Sequence, residues 1–358
     1  MAFANNKFSQ KITLPYCRAQ AYPLTFCFWI MVKNYIDTLY HRFNEDFVGR
    51  DNINTWLDQF EIEDRSIALR LAELIDYWGY RRVHFGLQIL HTKLKERLQH
   101  DGFIVNTDPE HCYDQIDFSR TFCSKSGDLV CYFYRKANGI RSLEFTNLEA
   151  LESQKTDFSK CALVLLDDYV GTGCQFFSFS YRRDHHALFN RYAKVYLGTL
   201  VANKRAIDTF YQMNRGNFDP LVKILYRLDE SDEIEQIKQI RKTFDVVKPR
   251  QVQLVSVSEE VSLLAPESHM GESEIIRVRS LLDKYISAPY CEGLFNIMSH
   301  SVFFFQCPNN VPQIFWDWDC RAPDKPWRPL FPRVSDSSIY TEEGEVPHSQ
   351  QVFGKLWE

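Results

Sequence analysis

Leu163–Gln175 reads LVLLDDYVGTGCQ, and the fold of the whole chain turns on this stretch. Four apolar residues, Leu163 to Leu166, run into two adjacent acids, Asp167 and Asp168, and two residues later comes Gly171-Thr172-Gly173. An unbroken apolar run suits a strand buried on both faces of a parallel sheet, since a half-exposed strand would alternate. The acids then lie at the carboxyl end of that strand, where open α/β sheets bind their ligands. The Gly-Thr-Gly turn lets backbone N–H groups approach a phosphate at the start of the next helix. Acids suited to sugar hydroxyls, followed by a phosphate cradle, point to a sugar-phosphate ligand. The alternative is a strand–turn–helix junction whose acids only cap the helix.

Outward from this stretch the chain alternates strand and helix. Ile116–Cys123 reads as a strand, and Leu129, Val130, Phe133 and Tyr134 form a helix face that stops at Asn138-Gly139. After the acidic stretch come a strand at Lys194–Ala202, a helix through Arg205–Met213, and a strand at Val222–Leu228. A helix carrying Ile234, Ile237, Ile240 and Phe244 leads to a strand at Val252–Val257. A helix with Ile275, Val278, Leu281, Leu282 and Tyr285 and an apolar strand at Val302–Phe305 complete the pattern. This alternation predicts an α/β fold with a mostly parallel, doubly wound sheet. Before it, residues 52–100 read as helical. Ile67, Leu71, Leu74, Ile75 and Trp78 share one face, Val83, Leu87, Leu90, Leu94 and Leu98 another, with Asp64 as a cap and Gly79 near the break. The expected organisation is an N-terminal arm at 1–50, a helical segment at 51–112, the α/β domain at 113–333 and a polar tail at 334–358. Met31, ahead of VKNYIDTLYHRF, offers a second start, which would make the first thirty or so residues an upstream extension.

Composition narrows the function classes. Across 358 residues, 45% hydrophobic content supports a sizeable core, and a net charge of −5 argues against a dominant nucleic-acid footprint. The ten cysteines are scattered without a C-x-x-C pair, as expected of reduced thiols in a cytoplasmic protein. No apolar run approaches the ~20 residues of a membrane span. Leu24–Val32, preceded by Lys7, Lys11 and Arg18, faintly imitates a signal peptide but lacks a small-residue cleavage site.

Other stretches carry chemistry-bearing residues. Ser124-Lys125-Ser126-Gly127 sits between the strand and helix that precede the acidic stretch, where Lys125 could counter an anion and Gly127 allow close backbone approach. In FFFQCPNNVPQIFW (Phe303–Trp316), Asn309, Asn310 and Trp316 are candidates to wall an acceptor pocket, the indole stacking on a base. The alternative is a rigid proline-bracketed turn over an aromatic core. Pro326–Arg333 (PWRPLFPR) reads as an extended, surface-packed segment, giving a C-terminal aromatic, proline-rich extension. His185-His186 lacks a second ligand pair, so no direct metal ligand is expected from the protein. Cys174 has no identifiable base, so it is not expected to be a nucleophile.

The acidic stretch resembles the PRPP-binding motif of type I phosphoribosyltransferases, in which an apolar strand, two acids, two variable residues and a Thr/Gly loop follow one another. The resemblance implies that Asp167 and Asp168 bind the ribose hydroxyls, and that Gly171, Thr172, Gly173, Cys174 and Gln175 hold the 5′-phosphate. It also implies that Ser124, Lys125, Ser126 and Gly127 face pyrophosphate. Cys174-Gln175 departs from the family, whose loop often ends in Thr or Ser. Further segments, Trp56–Trp78, Tyr132–Ile140 and PNNVPQIFW, resemble a narrower group, the phosphoribosyltransferase-like proteins of bacterial conflict systems, over residues 50–333.

That resemblance implies an antiphage-defence effector. It would bind PRPP or a ribose 5-phosphate nucleotide with Mg²⁺ and transfer or remove a phosphoribosyl group on a nucleobase, nucleotide or nucleic acid. It also implies a neighbour-encoded partner, such as a retron reverse transcriptase or a DNA-binding regulator, through which nucleic acid would be reached. The alternative is a non-catalytic nucleotide- or PRPP-sensing regulator or scaffold on the same fold. A third reading, acids holding metal for phosphoryl transfer, needs further carboxylates that the sequence does not identify.

Overall fold

A computed structural model of the chain describes residues 24–43, 48–104, 111–121, 126–154, 156–173, 176, 183–217, 251–265, 267–268, 270–286, 292, 297–321 and 326–333. In chain order its elements begin with α1 (Leu24–Phe43), α2 (Arg50–Leu57), α3 (Arg65–Glu73), β1 (Asp76–Trp78) and α4 (Tyr80–His100). Next come β2 (Ile116–Arg120), α5 (Ser126–Asn138), α6 (Leu148–Ser153), β3 (Ala162–Val170), α7 (Arg183–Arg191), β4 (Lys194–Asn203) and α8 (Lys204–Asn214). The last are β5 (Val252–Glu260), α9 (Glu272–Tyr285) and β6 (Ser301–Phe303). The expected strand at Val222–Leu228, the helix at Ile234–Phe244 and the tail lie outside the described residues.

The apolar run becomes the centre of a parallel sheet. β2, β3, β4 and β5 lie in that order, all parallel. Every residue of β3 except Tyr169 is buried. Its alternate side chains serve two cores, which is why it reads as continuous hydrophobics. Val164 and Leu166 join α4 and α5 through Leu87, Leu90, Val130 and Tyr134. Leu163 and Leu165 join α6, α7 and α8 through Leu148, Leu188 and Phe210. Each fully buried Leu or Val is worth about 1.5–3 kcal/mol, so an edge position would waste this sequence. Helices on both faces of a parallel sheet make the doubly wound α/β architecture of a phosphoribosyltransferase-like fold. α5 ends as Asn138-Gly139 predicts, with the Ile140 N–H donating to the Arg135 carbonyl at 3.1 Å.

A third core lies beside this sheet. Leu39 and Phe43 of α1, Trp56 of α2, and Ile67 and Leu71 of α3 pack with Leu281 and Tyr285 of α9 and with Val311, Phe315 and Trp327. A two-stranded parallel sheet, β1 with β6, borders it. Three readings are corrected here. Ile75 and Trp78 do not continue the α3 stripe: the helix ends before them, and Trp78 belongs to β1, paired with Phe303. Asp64 precedes α3 but makes no side-chain cap, and its carboxylate instead accepts from Tyr285 Oη at 2.9 Å and Lys284 Nζ at 2.7 Å. Pro326–Arg333 is more than a surface segment: Pro326, Arg328 and Pro332 are exposed, but Trp327, Leu330 and Phe331 enter the core. Trp327 is 1% and Leu330 2% exposed, and the Ile314 carbonyl accepts from both Trp327 Nε1 (3.3 Å) and Trp56 Nε1 (2.9 Å). Its aromatic content outweighs the proline signal, because burying an indole with its N–H paired gains more than an extended surface segment could.

Candidate functional site

The carboxyl ends of the parallel strands converge on the acid pair. Asp167 and Asp168 lie in the last four residues of β3 and are 8% and 3% exposed. Thr121, just past β2, donates its hydroxyl to Asp167 Oδ2 at 2.8 Å, while the Asp168 N–H donates to Asp167 Oδ1 at 2.9 Å. The Tyr169 N–H donates to Asp168 Oδ1 at 2.9 Å. Asp168 Oδ2 is buried and has no hydrogen-bond partner among the described residues. A buried carboxylate oxygen left unpaired costs free energy unless something outside the fold supplies a donor.

Burial, the neighbouring Asp168 charge and the contact between the two carboxyls hold the Asp167 pKa well above the ordinary carboxylate value, against the pull of the Thr121 donor. Burial also raises Asp168, and the adjoining Asp167, Ser126 and backbone donors offset part of that. Two like charges buried side by side disfavour full ionisation. The pair is therefore poised to accept hydrogen bonds from hydroxyl groups, or to be stabilised by positive charge that develops above it.

Gly171, Thr172 and Gly173 follow at once and are buried. Gly173 has φ +80°, a left-handed conformation that a side chain resists. Gly171 is glycine for a different reason: a β-carbon there would lie 2.7 Å from Asn310 Oδ1. Thus Asn310, 7% exposed, is brought against the Gly-Thr-Gly turn, and neighbouring Asn309 is half-buried. Trp316 is half-buried. Its Nε1 donates to the Val311 carbonyl at 2.8 Å and the Arg333 guanidinium lies 5.6 Å from its ring centre. Ser126 and Gly127 form the first turn of α5, with Ser126 near enough to Asp168 to affect its ionisation. Ser124, Lys125, Cys174 and Gln175 lie outside the described residues. His185 pairs with Glu152, and no group of three or more His, Cys, Asp or Glu side chains suited to a metal is gathered among the described residues.

Sequence reasoning missed two contributors. Thr121 stands directly before residues 122–125, which lie outside the described residues, and carries no motif; only the β2–β3 register sets it beside Asp167. Glu260, at the end of β5, reads as a solvated acid, yet it is 3% exposed. It gathers Tyr169 Oη at 3.0 Å and Asn203 Nδ2 at 3.2 Å on Oε1, and Ser299 Oγ and the Ser301 N–H, each at 3.0 Å, on Oε2. The available signal was positional: Tyr169, Asn203 and Glu260 all fall at carboxyl ends of strands.

A family model described as PRTase-CE matches residues 53–333. The match spans most of the chain, from α2 to the buried C-terminal segment, and the chain belongs to this phosphoribosyltransferase-like family. No curated protein matches it. Among the described residues no helix is long and apolar enough to cross a membrane.

Proposed function

We propose that this chain binds PRPP or a ribose 5-phosphate nucleotide at the carboxyl end of β3 and transfers or removes a phosphoribosyl group. The observation that carries this reading is Asp168 Oδ2, a buried carboxylate oxygen with no donor among the described residues, two strand residues before Gly171-Thr172-Gly173. A ribose hydroxyl would satisfy that oxygen, and Asp167 would accept from the neighbouring hydroxyl. The Thr172 and Gly173 N–H groups and the Thr172 hydroxyl would hold the 5′-phosphate, joined by Cys174 and Gln175. The first turn of α5, with Ser126 and Gly127 and preceded by Ser124 and Lys125, would face pyrophosphate, since a helix N-terminus favours anions.

Little covalent chemistry is asked of the side chains in such a reaction. Holding the ribose between the acid pair and the phosphate loop aligns the anomeric carbon, and the carboxylates stabilise positive charge developing there. The donor set fits Mg²⁺ as an ion shared with substrate phosphates, because one free carboxylate oxygen suits its habit of binding through one or two carboxylates. Bound there, Mg²⁺ would neutralise pyrophosphate charge. Asn310 and Asn309 would face the acceptor side.

We further propose a role in antiphage defence, with a neighbour-encoded partner such as a reverse transcriptase or a DNA-binding regulator. Its support is that the Trp56–Trp78, Tyr132–Ile140 and PNNVPQIFW segments all fall within the matched residues. The test is incubation of the full chain with labelled PRPP or nucleotides and Mg²⁺, with and without its neighbour-encoded proteins, alongside calorimetry. Turnover that disappears in Asp167→Asn plus Asp168→Asn supports the transferase. Tight binding without turnover in every arm moves the assignment to a nucleotide- or PRPP-sensing regulator, and neither binding nor turnover rejects both.

A further inference from the structure

The Glu260 cluster has no place in the reading above, and its construction is costly. Moving a carboxylate out of water costs several kcal/mol unless donors replace the lost hydration. Here four donors do so: Tyr169 Oη, Asn203 Nδ2, Ser299 Oγ and the Ser301 N–H, at 3.0–3.2 Å. Among the described residues, the basic nitrogen that approaches the carboxylate is His300 Nδ1 at 3.9 Å. These donors come from separate parts of the chain. Tyr169 follows Asp168 in β3, Asn203 ends β4, Ser299 leads into β6 and Ser301 opens it.

The connection continues from β6 to the phosphate loop. The Ser299 N–H donates to the Asn310 carbonyl at 2.9 Å, tying the proline-bracketed turn to the same node. The Asn310 carboxamide in turn fills the space beside Gly171. The path therefore closes on itself: from Tyr169 through Glu260 and Ser299 to Asn310, and back to Gly171, two residues after Tyr169. Both ends of the short stretch between the acid pair and the phosphate loop are held by one buried carboxylate.

We propose that Glu260 is a positioning residue for the phosphate loop, and that it makes the Pro308–Val311 turn a fixed wall of that loop. The Pro308–Val311 turn would thereby be part of the sugar-phosphate site. This inference rests on the proposed sugar-phosphate reading for its ligand effect but not for its structural effect, and the two are tested separately.

Hydrogen exchange on the free protein tests the brace. Glu260→Gln places an amide N–H₂ where one pair of donors now points, and Asn310→Ala removes the wall. Each is expected to speed amide exchange at Gly171–Gly173 about tenfold or more while α4 is unchanged. Tyr169→Phe, which removes one hydroxyl and no charge, keeps the test usable if Glu260→Gln fails to fold, and it should act in the same direction by roughly threefold. Unchanged exchange at Gly171–Gly173 in Tyr169→Phe and Asn310→Ala overturns the proposal.

Calorimetry with ribose 5-phosphate tests the consequence. Glu260→Gln and Asn310→Ala should each weaken binding about tenfold, and the double variant should be no weaker than the weaker single, because both act through one path. Additive losses of about a hundredfold overturn the coupling. Wild-type protein that binds neither ribose 5-phosphate nor PRPP rejects the ligand reading, and the exchange data then decide the brace by themselves.

Discussion

The Thr121 hydroxyl reaches across from the end of β2 to donate to Asp167 Oδ2 at 2.8 Å, inside a site where both side chains are buried. This donor opposes the burial and the Asp168 charge that raise the Asp167 pKa. Thr121→Val keeps the shape and deletes the donor, so the pKa should rise further and stability should fall by about 1–3 kcal/mol. Ribose 5-phosphate binding that needs the ionised pair strengthens as pH rises through the raised value. In Thr121→Val the midpoint of that pH profile should move to higher pH; an unmoved midpoint removes Thr121 from the site's electrostatics.

The acid pair should also cost the free protein stability. A carboxyl whose folded pKa is raised stabilises the fold below its unfolded value and loses that contribution as pH rises through the folded pKa. Both Asp167 and Asp168 are raised, mainly by burial. The penalty grows as pH rises above the unfolded value, so it is larger at pH 7 than in acid. Asp167→Asn plus Asp168→Asn should therefore raise stability at pH 7 by roughly 0.5–2 kcal/mol, with the gain shrinking in acid. Thermal melts of the double variant at pH 7 and pH 4 check this, and a lower melting temperature at pH 7 rejects it.

Gly171 and Asn310 form a steric pair. In Gly171→Ala the new β-carbon would sit 2.7 Å from Asn310 Oδ1, so the buried carboxamide must turn away. The expected cost is about 1–3 kcal/mol, as for other overpacked sites. Adding Asn310→Ala should recover much of it. A double-mutant cycle by urea unfolding measures the recovery, and strictly additive costs would show that the two residues do not meet.

Trp327 tests whether the proline-rich segment belongs to the core. It is 1% exposed, packs edge-on to Phe60 at 5.2 Å and shares the Ile314 carbonyl with Trp56. Trp327→Ala should cost about 3–5 kcal/mol, measured by thermal or urea unfolding. A loss within the ±0.5 kcal/mol typical of surface changes would return the segment to the surface.

The central sheet was legible because β3 is buried on both faces: Leu163 and Leu165 serve one core, Val164 and Leu166 the other, and nothing breaks the run. The acid pair and the Gly-Thr-Gly turn were legible for the same local reason, since the acids lie in the carboxyl end of β3 and the turn follows it directly. β1 was not legible. It is three residues long and exists only by pairing with Ser301–Phe303, so Trp78 kept the spacing of the helix before it. Glu260 was hidden in another way. A lone acid at a strand end is ordinarily solvated, and only the parallel register of β3, β4 and β5 brings Tyr169 and Asn203 to it. The burial of Trp327 was masked by its proline neighbours, which report backbone shape and say nothing of which side chains find a core.

His91 should give the protein an acid-sensitive stability of its own. It lies on α4 against α5, with Nδ1 2.8 Å from Tyr134 Oη and Nε2 3.0 Å from Tyr113 Oη. A neutral ring suits this position, with one nitrogen donating and the other accepting. Burial, aided by the Lys95 charge, lowers its pKa from 6.5 to about 4. For a histidine lowered in the fold, the unfolded chain takes up the proton first. The stability that depends on the neutral ring is therefore complete above pH 6.5 and drains away as pH falls towards 4. At ~1.4 kcal/mol per pH unit across that gap, the loss is roughly 3 kcal/mol. The acid pair acts in the opposite direction over acid pH, so the comparison must be made between variants. His91→Gln retains a donor and an acceptor but cannot take up a proton. Its unfolding free energy should be lower than that of the wild type at pH 7.5, and it should decline less steeply between pH 6.5 and 4. Parallel pH profiles for the two proteins would remove His91 as the source of the acid limb.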